Sequence, residues 1–107
     1  MTVIQTGSTP LTLINVFTVA PERQGVLIAH LQDATEQIMR HQRGFVSANI
    51  HASLDGTRVV NYAQWQTRQD FEAMLANPPA QAHMVAALEI ATSAEPKLYE
   101  VTHTYQR

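Results

Sequence analysis

The sequence predicts an α+β domain, with one antiparallel sheet and helices over one of its faces. Three observations carry this. Residues 57–65 have the β-branched and aromatic character of a strand, and residues 11–19 read as another. Leu27, Leu31, Ala34 and Ile38 recur at helical spacing. Asp55-Gly56 lies between two strand-like runs and signals a hairpin, here expected as a tight type I′ turn.

Residues 1–10 mix Thr, Gly, Ser and Pro and read as a flexible tail. Residues 11–19 form the first strand, with Leu11, Leu13, Asn15, Phe17 and Val19 on one face. Pro21 and Glu22 suit the opening turn of a helix. Arg40, His41 and Arg43 suit its negative end, and Gly44 stops it. Residues 45–52 are the second strand. The third runs over residues 57–65, with Val59, Asn61, Ala63 and Trp65 on one face and Arg58, Val60, Tyr62 and Gln64 on the other. Thr67 caps the next helix and Asp70 sits in its first turn; Phe71, Met74 and Leu75 form its apolar side. Asn77-Pro78-Pro79 ends that helix and starts another, carrying Met84, Leu88 and Ala91. Pro96 breaks the pattern, and residues 98–105 alternate as a last strand.

The order is strand, helix, strand, strand, helix, strand: the ferredoxin-like βαββαβ arrangement. We expect a single domain over residues 11–107. Helices on one face leave the other bare, with Ile14, Val16, Val60 and Tyr62 as candidates for it. A second copy is expected to cover them, giving a homodimeric α/β barrel.

The chain has 107 residues and a formal charge of −2, with no cluster of Lys and Arg, which argues against nucleic acid as a partner. It has no cysteine, which removes thiolate catalysis, disulfides and Cys-based metal sites. No apolar run approaches the roughly 20 residues that cross a bilayer, and no signal-peptide pattern opens the chain. The expected setting is the cytoplasm, with no membrane contact.

The residues that invite a chemical role are polar groups stranded among apolar ones. Asn61 and Trp65 share an otherwise apolar strand face, and Asn15 sits among Leu13 and Phe17. A buried amide without a partner is costly, so each must bond to backbone or to a ligand. Each also has a plain alternative: Asn15 and Asn61 as core amides bonded to backbone, Trp65 as core packing. Phe17, Phe71, Met74 and Met84 are stripe residues first and candidate pocket lining second. Of the five histidines none has metal-site spacing; His83 is the one retained as a candidate base. No Ser–His–acid pattern and no Gly-rich phosphate loop is present.

His51-Ala52-Ser53, Asp55-Gly56-Thr57 and above all Val59-Val60-Asn61-Tyr62-Ala63-Gln64-Trp65 resemble the antibiotic biosynthesis monooxygenase family. Within it, the resemblance is to the small quinone-forming enzymes of aromatic polyketide pathways. It implies oxygenation of a polycyclic phenol by dioxygen as co-substrate, without flavin, haem or metal. It also implies that Asn61 and Trp65 line a cavity between sheet and helices, with Asn15 joining them. Phe17, Phe71, Met74, His83 and Met84 would bind substrate. Two positions depart from the family's quinone-forming pattern: Phe71 stands where a Tyr is expected, and Val85 where an Arg is expected.

Two other readings compete. A haem-degrading relative on this scaffold would use Asn15 and His83, but Met74 stands where its Trp belongs. A non-catalytic dimeric module that binds a small ligand would share the fold, since this fold hosts many activities.

Overall fold

In the computed structural model, which describes residues Met1–Arg107, the chain runs β1 (Gly7–Thr18), α1 (Gln24–Gln37), β2 (Phe45–Ala52), β3 (Arg58–Trp65), α2 (Arg68–Leu75), α3 (Pro78–Ile90) and β4 (Ser93–Val101). Short 3-10 turns flank α1 at Pro21–Arg23 and Met39–His41. The four strands pair antiparallel in the order β2-β3-β1-β4. This is the ferredoxin-like α+β fold that the element order predicts, with the second helix split in two.

Local chemistry explains the helix ends. The Thr67 hydroxyl accepts the Asp70 N–H at 3.0 Å, capping α2 as expected. Asn77 Oδ1 accepts the Ala80 N–H at 3.1 Å and starts α3, whose first residues are Pro78 and Pro79. Neither proline sacrifices a helical hydrogen bond there, because the first N–H groups of a helix have no intrahelical acceptor. Gly44, with φ +81°, turns the chain into β2, and its carbonyl accepts the Gln66 N–H at 2.7 Å.

Several sequence expectations need correction. The link between β2 and β3 is a five-residue loop over residues 53–57, not a two-residue type I′ turn. Only Gly56 within it has positive φ, at +81°. Asp55 instead uses its carboxylate, accepting from the Thr57 N–H at 3.0 Å, the Thr57 hydroxyl at 2.7 Å and the Ser53 hydroxyl at 2.8 Å. Those bonds hold Asp55 well below its ordinary value, at about 2, the Thr57 hydroxyl contributing most.

The first strand starts at Gly7, so residues 7–10, read as tail, belong to the sheet. The residues before it also touch the sheet: the Gln64 amide donates to the Val3 carbonyl at 2.8 Å, and Asn49 bonds to Thr2. The last strand spans Ser93–Val101 rather than residues 98–105, and Pro96 lies inside it. Proline is tolerated there because β4 is an edge strand.

The helices cover the face that carries Leu13, Phe17, Val59, Ala63 and Trp65. The buried core on that face falls into two clusters. One gathers Leu13, Ala63, Trp65, Phe71, Met74 and Ala80. The other gathers Phe17, Val19, Leu27, Val59, Ala87 and Ala91. On the opposite face, Ile14, Val16, Val60 and Tyr62 are half-buried, while Gln64 is buried and also accepts the Ser47 hydroxyl at 2.9 Å.

Candidate active site

The register of β1 against β3 pairs Leu11 with Trp65, Leu13 with Ala63, Asn15 with Asn61 and Phe17 with Val59. Directly opposed residues of an antiparallel pair point to the same face. The two amides therefore form one rung of the sheet, beneath the helices and between the two core clusters.

Above this rung lies a cavity of about 260 Å³. It is lined by 19 residues, 14 of them hydrophobic, drawn from all four strands and from α1, α2 and α3. The hollow has a simple origin: Ala34, Ala48, Ala63, Ala87 and Ala94 all line it, and five short side chains leave space that larger ones would fill. Leu88, which is 55 % exposed, marks its mouth on α3.

Buried polar groups nearly always have partners. Here five buried side-chain atoms lack one: Asn15 Oδ1, Asn61 Oδ1, Trp65 Nε1, His83 Nδ1 and the Tyr62 hydroxyl. The first four belong to residues that line the cavity. Asn15 and Asn61 also read as core amides bonded to backbone, but neither Oδ1 makes such a bond. Thr35, also in the lining, is satisfied, its hydroxyl donating to the Leu31 carbonyl at 2.8 Å.

Trp65 is 2 % exposed and is held by two rings. Phe45 meets it edge-on with centroids 5.6 Å apart, and Phe71 does so at 6.3 Å. Such edge-to-face contacts fix the indole plane. His83 is tied to α1: the His30 Nε2–H donates to the His83 carbonyl at 2.8 Å, and the two rings lie 5.1 Å apart.

Of the eight residues singled out from sequence, seven line the cavity: Asn15, Phe17, Asn61, Trp65, Met74, His83 and Met84. Phe71 does not. It is buried in the core cluster with Trp65 and Met74, its ring edge-on to the indole. Sequence reasoning missed the lining from α1 and its exit turn (Leu31, Thr35, Met39), the β2 pair Phe45 and Ala48, and Pro96. The available signal was register: Pro96 stands opposite Asn15 on β1, as Asn61 does on its other side.

An apolar hollow lined by a few unpartnered neutral polar groups is suited to binding a largely apolar small molecule. Comparison with known proteins makes the class specific. Residues 10–86 match the antibiotic biosynthesis monooxygenase family, and the chain belongs to it. Tetracenomycin-F1 monooxygenase of Streptomyces glaucescens is 49% identical over 94 residues, covering 88% of this chain and 83% of that protein. Among solved structures, the ActVA-Orf6 monooxygenase of Streptomyces coelicolor in complex with nanaomycin D superposes with a TM-score of 0.78 at 27% identity, covering 92% of this chain and 93% of that one. A variant of SnoaB, a cofactor-independent oxygenase of Streptomyces nogalater, superposes with a TM-score of 0.73 at 26% identity, covering 91% and 97%. The chain is thus a monooxygenase of the cofactor-independent kind. No helix is long and apolar enough to cross a membrane.

Proposed function

We propose that the protein oxidises an electron-rich polycyclic phenol or anthrone to a quinone, using dioxygen and no cofactor. The carrying observation is the set of four unpartnered polar atoms on residues lining one apolar cavity. Asn15 Oδ1, Asn61 Oδ1 and His83 Nδ1 suit hydroxyl donors; the Trp65 N–H suits a carbonyl or oxyanion. A hydroxylated aromatic ketone presents both. The similarity to a tetracenomycin-F1 monooxygenase and to a monooxygenase in complex with nanaomycin D supports the same reading.

The chemistry follows from the ligand's own electrons. Loss of a phenolic proton leaves an anion with carbanion character at the ring carbon that reacts. That carbon bonds to dioxygen and becomes a peroxide. Breaking the O–O bond with loss of the remaining C–H hydrogen gives the quinone carbonyl and one water, so one oxygen atom enters the product and the other leaves. The Trp65 N–H and the side-chain N–H groups of Asn15 and Asn61, whose Oδ1 atoms take the substrate's hydroxyls, stabilise the oxyanion in a site that excludes water, where preorganised dipoles act strongly. Asn15, Asn61 and Trp65 are the catalytic residues in this reading. Phe17, Met74, His83 and Met84 seat the rings.

An oxygen electrode with a panel of anthrones and naphthols tests the proposal. Wild type is expected to take up oxygen and Asn61→Ala to lose about 10²–10³-fold in kcat. Equal uptake by Asn61→Ala defeats the assigned role. Binding of the panel with no oxygen uptake makes the protein a ligand-binding module instead.

We also propose a homodimer formed through Ile14, Val16, Val60 and Tyr62, the half-buried residues on the face away from the helices. The unpartnered Tyr62 hydroxyl supports this. Sedimentation as a monomer at micromolar concentration would remove it. The lack of cysteine supports a cytoplasmic setting.

A further inference from the structure

The reaction proposed above begins with a proton leaving a phenol, and that proton needs an acceptor. None of the neutral donors can serve: amide and indole groups do not take up protons at neutral pH. The cavity lining contains no Asp, Glu, Lys, Arg, Tyr or Cys. Its one titratable side chain is His83. The buried Nδ1 of His83 has no hydrogen-bond partner in the protein.

The neighbour of His83 explains how the ring is held. A carbonyl oxygen only accepts, so the His30 Nε2 that lies 2.8 Å from the His83 carbonyl carries a hydrogen. That bond fastens α3 to α1 at the residue that bears the imidazole, and the His30 ring packs against the His83 ring. An unpaired lone pair at Nδ1 costs less than an unpaired N–H. Nδ1 is therefore the ring atom left open to a hydroxyl of a bound ligand.

We propose that His83 is the general base of the reaction: its imidazole takes the phenolic proton of the bound substrate and later returns it to the departing oxygen. This rests on the quinone-forming reading. In the first step the substrate O–H bond breaks, its electron pair stays on oxygen, and an N–H bond forms on the ring. After dioxygen adds, the imidazolium gives that proton to the terminal peroxide oxygen. The O–O bond then breaks, the carbon's last hydrogen leaves as a proton, and water departs. The imidazole ends neutral, as it began.

The test uses wild type, His83→Gln and His83→Ala in oxygen uptake on a series of naphthols of rising acidity. General-base loss costs about 10²–10⁴-fold in rate, so both variants are expected to lose kcat by that order on weakly acidic members, with KM changed far less. The deficit should shrink toward none for members acidic enough to arrive ionised, and added imidazole should partly restore His83→Ala. His83→Gln keeps a polar side chain of similar reach, so an unstable His83→Ala does not decide the matter. Trp65 is the sole tryptophan, and its fluorescence on anaerobic ligand binding reports whether each cavity is intact. A deficit equal across the series, or full activity in His83→Gln, overturns the base assignment and leaves the quinone-forming reading standing. No oxygen uptake by wild type on any member overturns both.

Discussion

Asn15 and Asn61 stand opposite each other on adjacent strands, and the apolar core ends on either side of them. Leu13 and Ala63 lie one side-chain repeat away in one direction, Phe17 and Val59 in the other. The polar rung is thus a floor between two walls, and the space above it is the cavity.

Asn61→Leu should separate stability from activity. The substitution removes a buried amide whose oxygen has no partner, and such groups cost about 1–3 kcal/mol in protein mutational data. Thermal unfolding should show a midpoint equal to or above wild type. Oxygen uptake should fall by about 10²–10³-fold in kcat. A variant that is both stable and fully active would contradict the role given to the amide.

Trp65 and Phe71 should divide in the same manner. Trp65→Phe keeps an aromatic ring against Phe45 and deletes only the donor and part of the volume. It should depress kcat by about 10²-fold or more while remaining folded by circular dichroism. Phe71→Ala removes a core ring that supports the indole. Urea unfolding should show a loss of about 3–5 kcal/mol, the usual cost of deleting a buried Phe side chain.

Gly44→Ala should be poorly tolerated for two reasons that can be told apart. The residue has φ +81°, and an added Cβ would collide with the Asp70 side chain. The left-handed backbone alone costs a non-glycine residue about 1–2 kcal/mol. Urea unfolding should show a larger loss than that. Adding Asp70→Ala removes the carboxylate contacts but keeps the Asp70 Cβ that the new Cβ also meets, so it should recover only part of the collision and none of the backbone part.

Asp55 should shape the acid limb of stability. Its carboxyl is lowered from 3.8 to about 2, chiefly by the Thr57 hydroxyl, then the Thr57 N–H and the Ser53 hydroxyl. The folded state therefore favours the ionised form. Its contribution is complete above the unfolded value of 3.8 and disappears as pH falls through about 2. Because the group is exposed, the effect is small. Asp55→Asn should unfold with a shallower pH dependence across that window, measured by circular dichroism at fixed temperature.

How much of this was legible in the sequence depends on what kind of signal each element carries. Residues 45–52, the Thr67 cap and the helix at Leu27–Ala34 announce themselves through alternation, capping chemistry and periodicity, and the structure places them there. Asn15, Asn61 and Trp65 were visible because they break an apolar pattern. The last strand was misplaced because Pro96 reads as a breaker, and only the sheet order shows that it sits on an edge strand. The turn at Asp55-Gly56 was misread because the carboxylate, rather than positive φ at Asp55, closes the loop. Phe71 shares its helix face with Met74, yet only Met74 reaches the hollow while Phe71 packs edge-on to Trp65, a relation between β3 and α2 that periodicity cannot encode. The alanines were silent because a missing side chain leaves no mark in a local pattern.

The split core has an evolutionary meaning. Each wall is fastened by its own cluster, so residues 15 and 61 can be exchanged without melting either. A lineage could thus retool what the hollow does while the frame around it endures, and new chemistry would come at a low toll in foldability.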